Sequence, residues 1–108
     1  MPIKLMPGNI LTVVVKGVET GEAGAAERFE FSLVCQRLNQ RQIDQAVEGR
    51  TVIEFLQHVV QGWKSVLDAD GNPLPFAPDL LEQLLLRPGV ARLAFNGYLR
   101  EVEAREKN

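Results

Sequence analysis

A chain of 108 residues in which 45% of the side chains are apolar and 24% are charged has the composition of one globular domain. Its formal charge is only −2, with acids and bases interspersed, so it lacks the basic stripe that binding to duplex nucleic acid requires. We expect a single domain over residues 1–108, with a loose segment at residues 1–8 and a frayed end at residues 103–108.

The first two predicted elements are β-strands. Residues 10–18 are rich in β-branched side chains, and their apolar residues do not alternate cleanly, which favours a strand covered on both faces. Residues 27–38 alternate as a half-buried antiparallel strand does. The apolar side chains on its inner face are Phe29, Phe31, Leu33 and Cys35. We expect the two strands to pair as a hairpin.

Two helices follow, each opened by a capping box. Asn39 with Gln42 starts a short helix that ends at Gly49, and Thr51 with Glu54 starts a longer one. The second helix carries an apolar stripe at 100° per residue. Its members are Val52, Phe55, Leu56, Val59, Val60, Trp63 and Val66. We expect this helix to continue to Val66 and to pack on the hairpin, because two strands alone are not stable in water.

A short turn excursion at residues 66–76 separates this helix from the next. Asp68 and Asp70 can bond their own backbone, and Gly71 tolerates the positive φ of a tight turn. Pro73 and Pro75 keep the second arm extended. We interpret the excursion as architecture and not as a catalytic loop.

Two more helices complete the chain. Pro78 suits a first helical position, and a leucine-rich stripe follows until Arg87-Pro88-Gly89 ends the helix. The final helix is predicted over residues 89–106. The pattern therefore predicts an α+β fold, with an N-terminal antiparallel β-hairpin packed against three to four α-helices.

The last helix has two apolar stripes, rotated from each other by more than 100°. The first stripe is Val90, Leu93, Ala94 and Gly97, and the second is Phe95, Leu99 and Val102. A helix lying on one core needs only about 100° of apolar arc. Either this helix is enclosed between layers of the monomer, or the second stripe binds another chain. The candidate partner-binding residues are Phe95, Tyr98, Leu99 and Val102.

The side chains that most often carry catalysis are isolated in this sequence. His58 lies on the polar face of its helix, which indicates a solvated histidine. Cys35 alternates inward with apolar residues, where a thiol behaves as a small hydrophobe. We therefore expect no catalytic residue and no enzyme activity.

Metal and cofactor sites also lack their ligands. An EF-hand loop that opened at Asp68 would need glycine at position 73 and glutamate at position 79, where this chain has Pro73 and Asp79. The sequence offers no second histidine, no cysteine pair and no glycine-rich phosphate loop. We expect no metal and no cofactor.

The predicted compartment follows from the cysteine count and from hydropathy. A single cysteine excludes a disulfide within the chain and fits a reducing cytosol. The chain has no apolar run of signal-peptide length at its start, and no stretch near the ~20 residues of a membrane span. We expect a cytoplasmic protein that binds no membrane.

Several weak motifs follow one another in an informative order. They are Phe29-Glu-Phe31 in a strand, Gly62-Trp63 near a helix end, the acidic turn, Pro73-Leu-Pro-Phe76, Pro78 at a helix start and Pro88-Gly-Val90 before a long helix. Over roughly residues 27–108 this order resembles that of small tail assembly chaperones of bacteriophages and prophages. One departure is Ala77, where such sequences usually place a Ser or Thr cap.

The resemblance implies a non-enzymatic protein that binds the tape-measure protein, the tail tube protein or both during tail assembly in the host cytoplasm. It also implies absence from the finished particle, and it leaves a homo-oligomer possible. Two other classes stay open: a structural minor tail or connector protein, and a small enzyme or ligand-binding protein.

Overall fold

The computed structural model describes residues 2–3 and 8–104 and has an α+β fold. Its elements in chain order are β1 (Ile10–Thr20), β2 (Ala26–Gln36), α1 (Gln40–Val47), α2 (Val52–Val59), β3 (Val60–Lys64), α3 (Pro78–Leu85) and α4 (Val90–Val102). The strands form one antiparallel sheet in the order β1-β2-β3. The predicted fold class is confirmed, and most of the predicted loose segment at residues 1–8 lies outside the described residues.

The hairpin of β1 and β2 is regular over its whole length. Its register runs without a shift from Ile10 opposite Gln36 to Thr20 opposite Ala26. Along β1 the side chains of Leu11, Val13 and Val15 are buried, while those between them are exposed. The expectation that both faces of β1 are covered is therefore wrong. A pleated strand alternates in space whatever its sequence, and the helices pack on one face only.

The helix predicted to run from Thr51 to Val66 is the main error of the sequence interpretation. Both capping boxes are present, but α2 ends at Val59, and Val60 has the extended values φ −77° and ψ 126°. Residues 60–64 form β3, in which Trp63 pairs with Leu33 of β2. Adjacent β-branched valines and Gly62 are poor helix formers, and the free edge of β2 supplies a strand partner. The sheet thus has three strands where the sequence predicted two.

The excursion at residues 66–76 has the predicted turn. The Asp68 carboxylate accepts hydrogen bonds from the backbone N–H groups of Asp70 and Asn72, at 2.9 and 3.0 Å. Gly71 has a positive φ of 81°. The excursion folds back on Trp63, whose indole Nε1–H donates to the Leu74 carbonyl oxygen at 2.8 Å.

The last two helices begin where the sequence predicts. Pro78 is the first residue of α3, and Ala77 provides no side-chain cap. Gly89, with φ 86°, precedes α4. However, α4 ends at Val102 and Glu103 is extended, so the predicted end at residue 106 is wrong at residues 103–104. Beyond Val102 these two residues offer no large apolar side chain to hold another turn on the core, and residues 105–108 lie outside the described residues.

Candidate protein-binding surfaces

Tyr98 is fully buried in the centre of the fold. Its hydroxyl donates to the carbonyl oxygen of Gln36 at 2.8 Å and accepts from the N–H of Leu38 at 3.2 Å. Burial raises the pKa of this phenol above its ordinary value. The side chain therefore joins α4 to the end of β2. Of the four predicted partner-binding residues, Tyr98 offers no surface to a partner in this structure.

The other three predicted residues, Phe95, Leu99 and Val102, form one flank of α4 that we call the α4 shoulder. Each is partly buried against the core and partly open to solvent. The ring of Phe95 meets that of Phe55 edge-on, with the ring centroids 5.3 Å apart. The shoulder therefore combines the two alternatives left open by the sequence: one side of it packs within the monomer, and the other side faces outward.

The opposite flank of α4 lies against β1 at unusually short range. A Cβ atom on Gly97 would stand 2.8 Å from Cγ1 of Val13, so only glycine allows this approach. A Cβ on Gly17 would likewise stand 3.0 Å from Cδ1 of Leu93. These two contacts show that α4 runs antiparallel to β1.

A groove of about 440 Å³ runs between this flank of α4 and β1, and we call it the β1 groove. The α4 residues that line it are Leu93, Asn96, Gly97, Arg100 and Glu101. Its other wall is the strand from Val13 to Lys16. The side chain of Leu93 is 41% exposed, so it presents apolar surface to the groove.

The outer face of the sheet carries exposed apolar side chains. On β1 these are Ile10, Val14 and Val18, with exposures of 58%, 49% and 60%. Lys16 stands between them and forms only a loose ion pair with Glu30, at 3.9 Å. Thr12 and Lys16 interrupt this row, so it is a candidate contact surface and not one continuous apolar patch. The sequence interpretation missed this surface because it placed both faces of β1 inside.

The structure keeps Cys35 and His58 in different environments. Cys35 is fully buried in β2, and burial raises the pKa of its thiol from 9.0 to about 12. His58 is exposed on α2, in a shallow depression beside Gln42 and Arg50. A buried, protonated thiol is a poor nucleophile, so this geometry offers no activated cysteine.

The carboxylate of the acidic turn already bonds to the backbone of the turn. One oxygen of the Asp68 carboxylate already accepts two N–H groups, which stabilises the turn. Within residues 2–3 and 8–104, no group of three or more His, Cys, Asp or Glu side chains is arranged to hold a metal ion.

Comparison with known proteins finds no match to this chain among family models, curated proteins or solved structures. In the part of the chain that the structure describes, every helix falls short of the length and apolar content that a bilayer crossing demands.

Proposed function

We propose that this protein is a non-enzymatic tail assembly chaperone that binds the tape-measure protein, the tail tube protein or both in the host cytoplasm. The observation that carries the proposal is the order of motifs over roughly residues 27–108, which resembles that of phage tail assembly chaperones, although Gly62-Trp63 lies in β3 and not at a helix end. The α4 shoulder supplies the physical means, because it is an apolar helix flank that remains partly open to solvent.

The mode of binding follows from the spacing of the shoulder residues. Phe95, Leu99 and Val102 are separated by four and three positions, so their side chains follow one another along one side of α4. A tape measure is a long helical protein, and an amphipathic helix of such a partner can place its own i, i+3, i+4 and i+7 side chains against this row. Such packing needs the two helix axes about 8–10 Å apart.

Pull-down of the tape-measure and tail tube proteins with the purified chain tests the proposal. We expect capture of at least one of them, and we expect Leu99→Ser to weaken capture by about tenfold, as removal of a central apolar contact does. The matched control is Leu86→Ser. This residue lies at the end of α3, 60% exposed and away from the shoulder, and its substitution leaves capture unchanged.

Melting temperatures distinguish lost binding from lost folding. Leu99→Ser must keep most of the wild-type stability for its binding defect to count, and Phe95→Ser is the poorer variant because Phe95 also packs on Phe55. Failure to capture either partner would contradict the proposal. Stoichiometric amounts of the protein in purified virions would instead support a structural tail component.

A further inference from the structure

Strand β1 is an open edge of the sheet. It is 11 residues long, contains no proline and has no register shift against β2. Native edge strands are usually short, bulged, charged or covered, because unpaired peptide groups attract other strands. The charged side chains of β1 are limited to Lys16 and Glu19. This edge therefore keeps the pairing capacity that most proteins remove.

The register shows which peptide groups of β1 face outward. Arg37 N–H donates to the carbonyl oxygen of Asn9 at 2.7 Å, one step before the pair of Ile10 and Gln36. Hydrogen-bonded and non-bonded pairs alternate in an antiparallel ladder, so the odd-numbered residues of β1 bond to β2. The residues that direct N–H and C=O groups to the edge are Ile10, Thr12, Val14, Lys16 and Val18. Within residues 8–104, no other segment forms a backbone hydrogen bond with them.

The position of α4 selects the kind of strand that can pair there. Two copies joined antiparallel through β1 would place both α4 helices on the same side of the sheet. Neighbouring strands lie about 4.8 Å apart, whereas packed helices need about 8–10 Å. Because α4 packs on β1 itself, an antiparallel pair of copies would force the helices too close together, and a parallel pair would form the less stable ladder. A single extended segment carries no such helix and fits beside the β1 groove.

We propose that the β1 edge and the β1 groove bind an extended segment of another polypeptide, which joins the sheet as a fourth strand. The segment has apolar side chains towards Val14 and Leu93, and a carboxylate that faces Arg100. This site lies on the opposite flank of α4 from the shoulder, so the inference goes beyond the proposed function and does not depend on it.

The residues on the outer and inner faces of the sheet at β1 indicate which side chains the segment should carry. On the outer face the added strand would lie beside Val14 and Val18, which favours β-branched or other apolar side chains. On the inner face it would contact Leu93. Lys16 is already paired with Glu30 on the outer face, whereas Arg100 forms no ion pair within residues 8–104, so the groove favours an acidic residue in the segment beside Arg100. Main-chain hydrogen bonds provide affinity in this mode, and the side chains provide selectivity.

Amide hydrogen exchange of the full-length protein, measured by NMR with a synthetic peptide, tests the proposal. The probe is a blocked hexapeptide that alternates valine and threonine and has one central aspartate. We expect it to slow exchange at Thr12, Val14, Lys16 and Val18 by about tenfold, while the odd-numbered amides, already bonded to β2, change little. Arg100→Glu should reverse the preference for this peptide over its lysine-containing counterpart.

A matched peptide provides the control. It has the same side chains, but N-methyl groups replace the N–H donors of every second residue. One version is methylated at the odd-numbered residues and another at the even-numbered residues, so that the donors facing β1 are removed in one of the two. Equal binding of the methylated peptides would overturn the proposal, as would unchanged exchange at the four amides. Perturbation at the α4 shoulder alone would also overturn it. If the protein without peptide protects these amides increasingly as its concentration rises, the occupant is a second copy and the proposal is wrong.

Discussion

The two edge strands of the sheet differ in length, in the regularity of their pairing and in what lies beside them. Strand β3 has 5 residues, carries a register shift against β2 and leads directly into the excursion that packs on Trp63. Strand β1 has 11 residues in uninterrupted register and an open side. The same sheet therefore has one short, bulged edge and one long, regular edge, and only the long edge keeps an unbroken row of peptide groups for strand pairing.

Apart from the Val13→Lys control described below, the largest expected effect comes from releasing the excursion from β3. Trp63→Ala removes the edge-on contact with Phe76, whose ring centroid lies 5.1 Å away, and the hydrogen bond to Leu74. We expect a loss of about 2–4 kcal/mol in the free energy of unfolding by chemical denaturation. Trp63→Phe, which keeps an aromatic ring, should cost about 1 kcal/mol. Equal losses in the two variants would show that the excursion is not held by the ring.

A smaller loss is expected from the bond that fixes α4 to the sheet. Tyr98→Phe leaves the buried N–H of Leu38 and the carbonyl of Gln36 without the hydroxyl. An unsatisfied buried group costs about 1–3 kcal/mol, to be read from denaturant midpoints at unchanged m-value. A change below about 0.5 kcal/mol would mean that water replaces the hydroxyl, and that the wall of the β1 groove is less firmly placed than the geometry indicates.

The free energy of unfolding should fall at high pH because of Cys35 in the central strand, β2. The folded pKa of Cys35 is raised from 9.0 to about 12 by burial, so the folded state holds its proton where the unfolded state releases it. The stabilisation is complete below pH 9 and is lost as the pH rises towards 12, at about 1 kcal/mol for each pH unit in between. Tyr98, also raised, adds to the loss at higher pH.

The measurement for this prediction is the free energy of unfolding as a function of pH. Cys35→Ala, which removes the thiol, should show a flatter profile between pH 8 and pH 10 than the wild-type chain. Profiles of the same slope would show that β2 is not sealed from water at this position.

The close approach of α4 to β1 can be tested by adding one methyl group. Gly97→Ala would bring a Cβ to 2.8 Å from Cγ1 of Val13, so α4 must shift, at a cost of about 1–3 kcal/mol. Alanine regains up to about 1 kcal/mol of helix propensity, which leaves a net loss of about 1 kcal/mol. In a double-mutant cycle, Val13→Ala should relieve the clash and give a favourable coupling energy. Additive effects would contradict the contact.

The smallest effect on stability is expected at the open edge itself. Val14→Lys changes a half-exposed outer side chain and should alter the free energy of unfolding by less than about 0.5 kcal/mol. Its neighbour Val13, 1% exposed on the other face, is the matched control, and Val13→Lys should unfold the chain. Thermal melting measures both. A large loss in Val14→Lys would mean that the outer face is not free.

The sequence predicts the features of this fold that depend on local chemistry. The capping boxes at Asn39 and Thr51, the turn at Gly71 and the start of α3 at Pro78 are all found, because each is set by a few neighbouring residues. The end of α2 depends on a distant partner strand. Val60 and Trp63 fit a helical stripe as well as a strand, and only pairing with β2 decides between them.

The candidate site was also predicted only in part, because some of its features are local and others depend on contacts between distant residues. Helical periodicity finds the apolar row of Phe95, Leu99 and Val102, but it cannot show that Tyr98 reaches the backbone at Leu38. The β1 groove depends on the contact of Gly97 with Val13, two residues 84 positions apart in the sequence. The adjacent valines Val59 and Val60, followed by Gly62, were the sequence features that could have predicted β3. With β3 predicted, the difference between the two edges of the sheet would have followed.

A calorimetric titration of the full chain with purified tape-measure protein, repeated at several temperatures, tests most directly whether this protein acts by binding another polypeptide beside α4. We predict saturable binding with a negative heat-capacity change, because apolar surface on the α4 shoulder is buried. The heat-capacity change should shrink in Leu99→Ser and persist in Leu86→Ser. Absence of saturable heat with the tape-measure protein, and then with the tail tube protein, would contradict this claim.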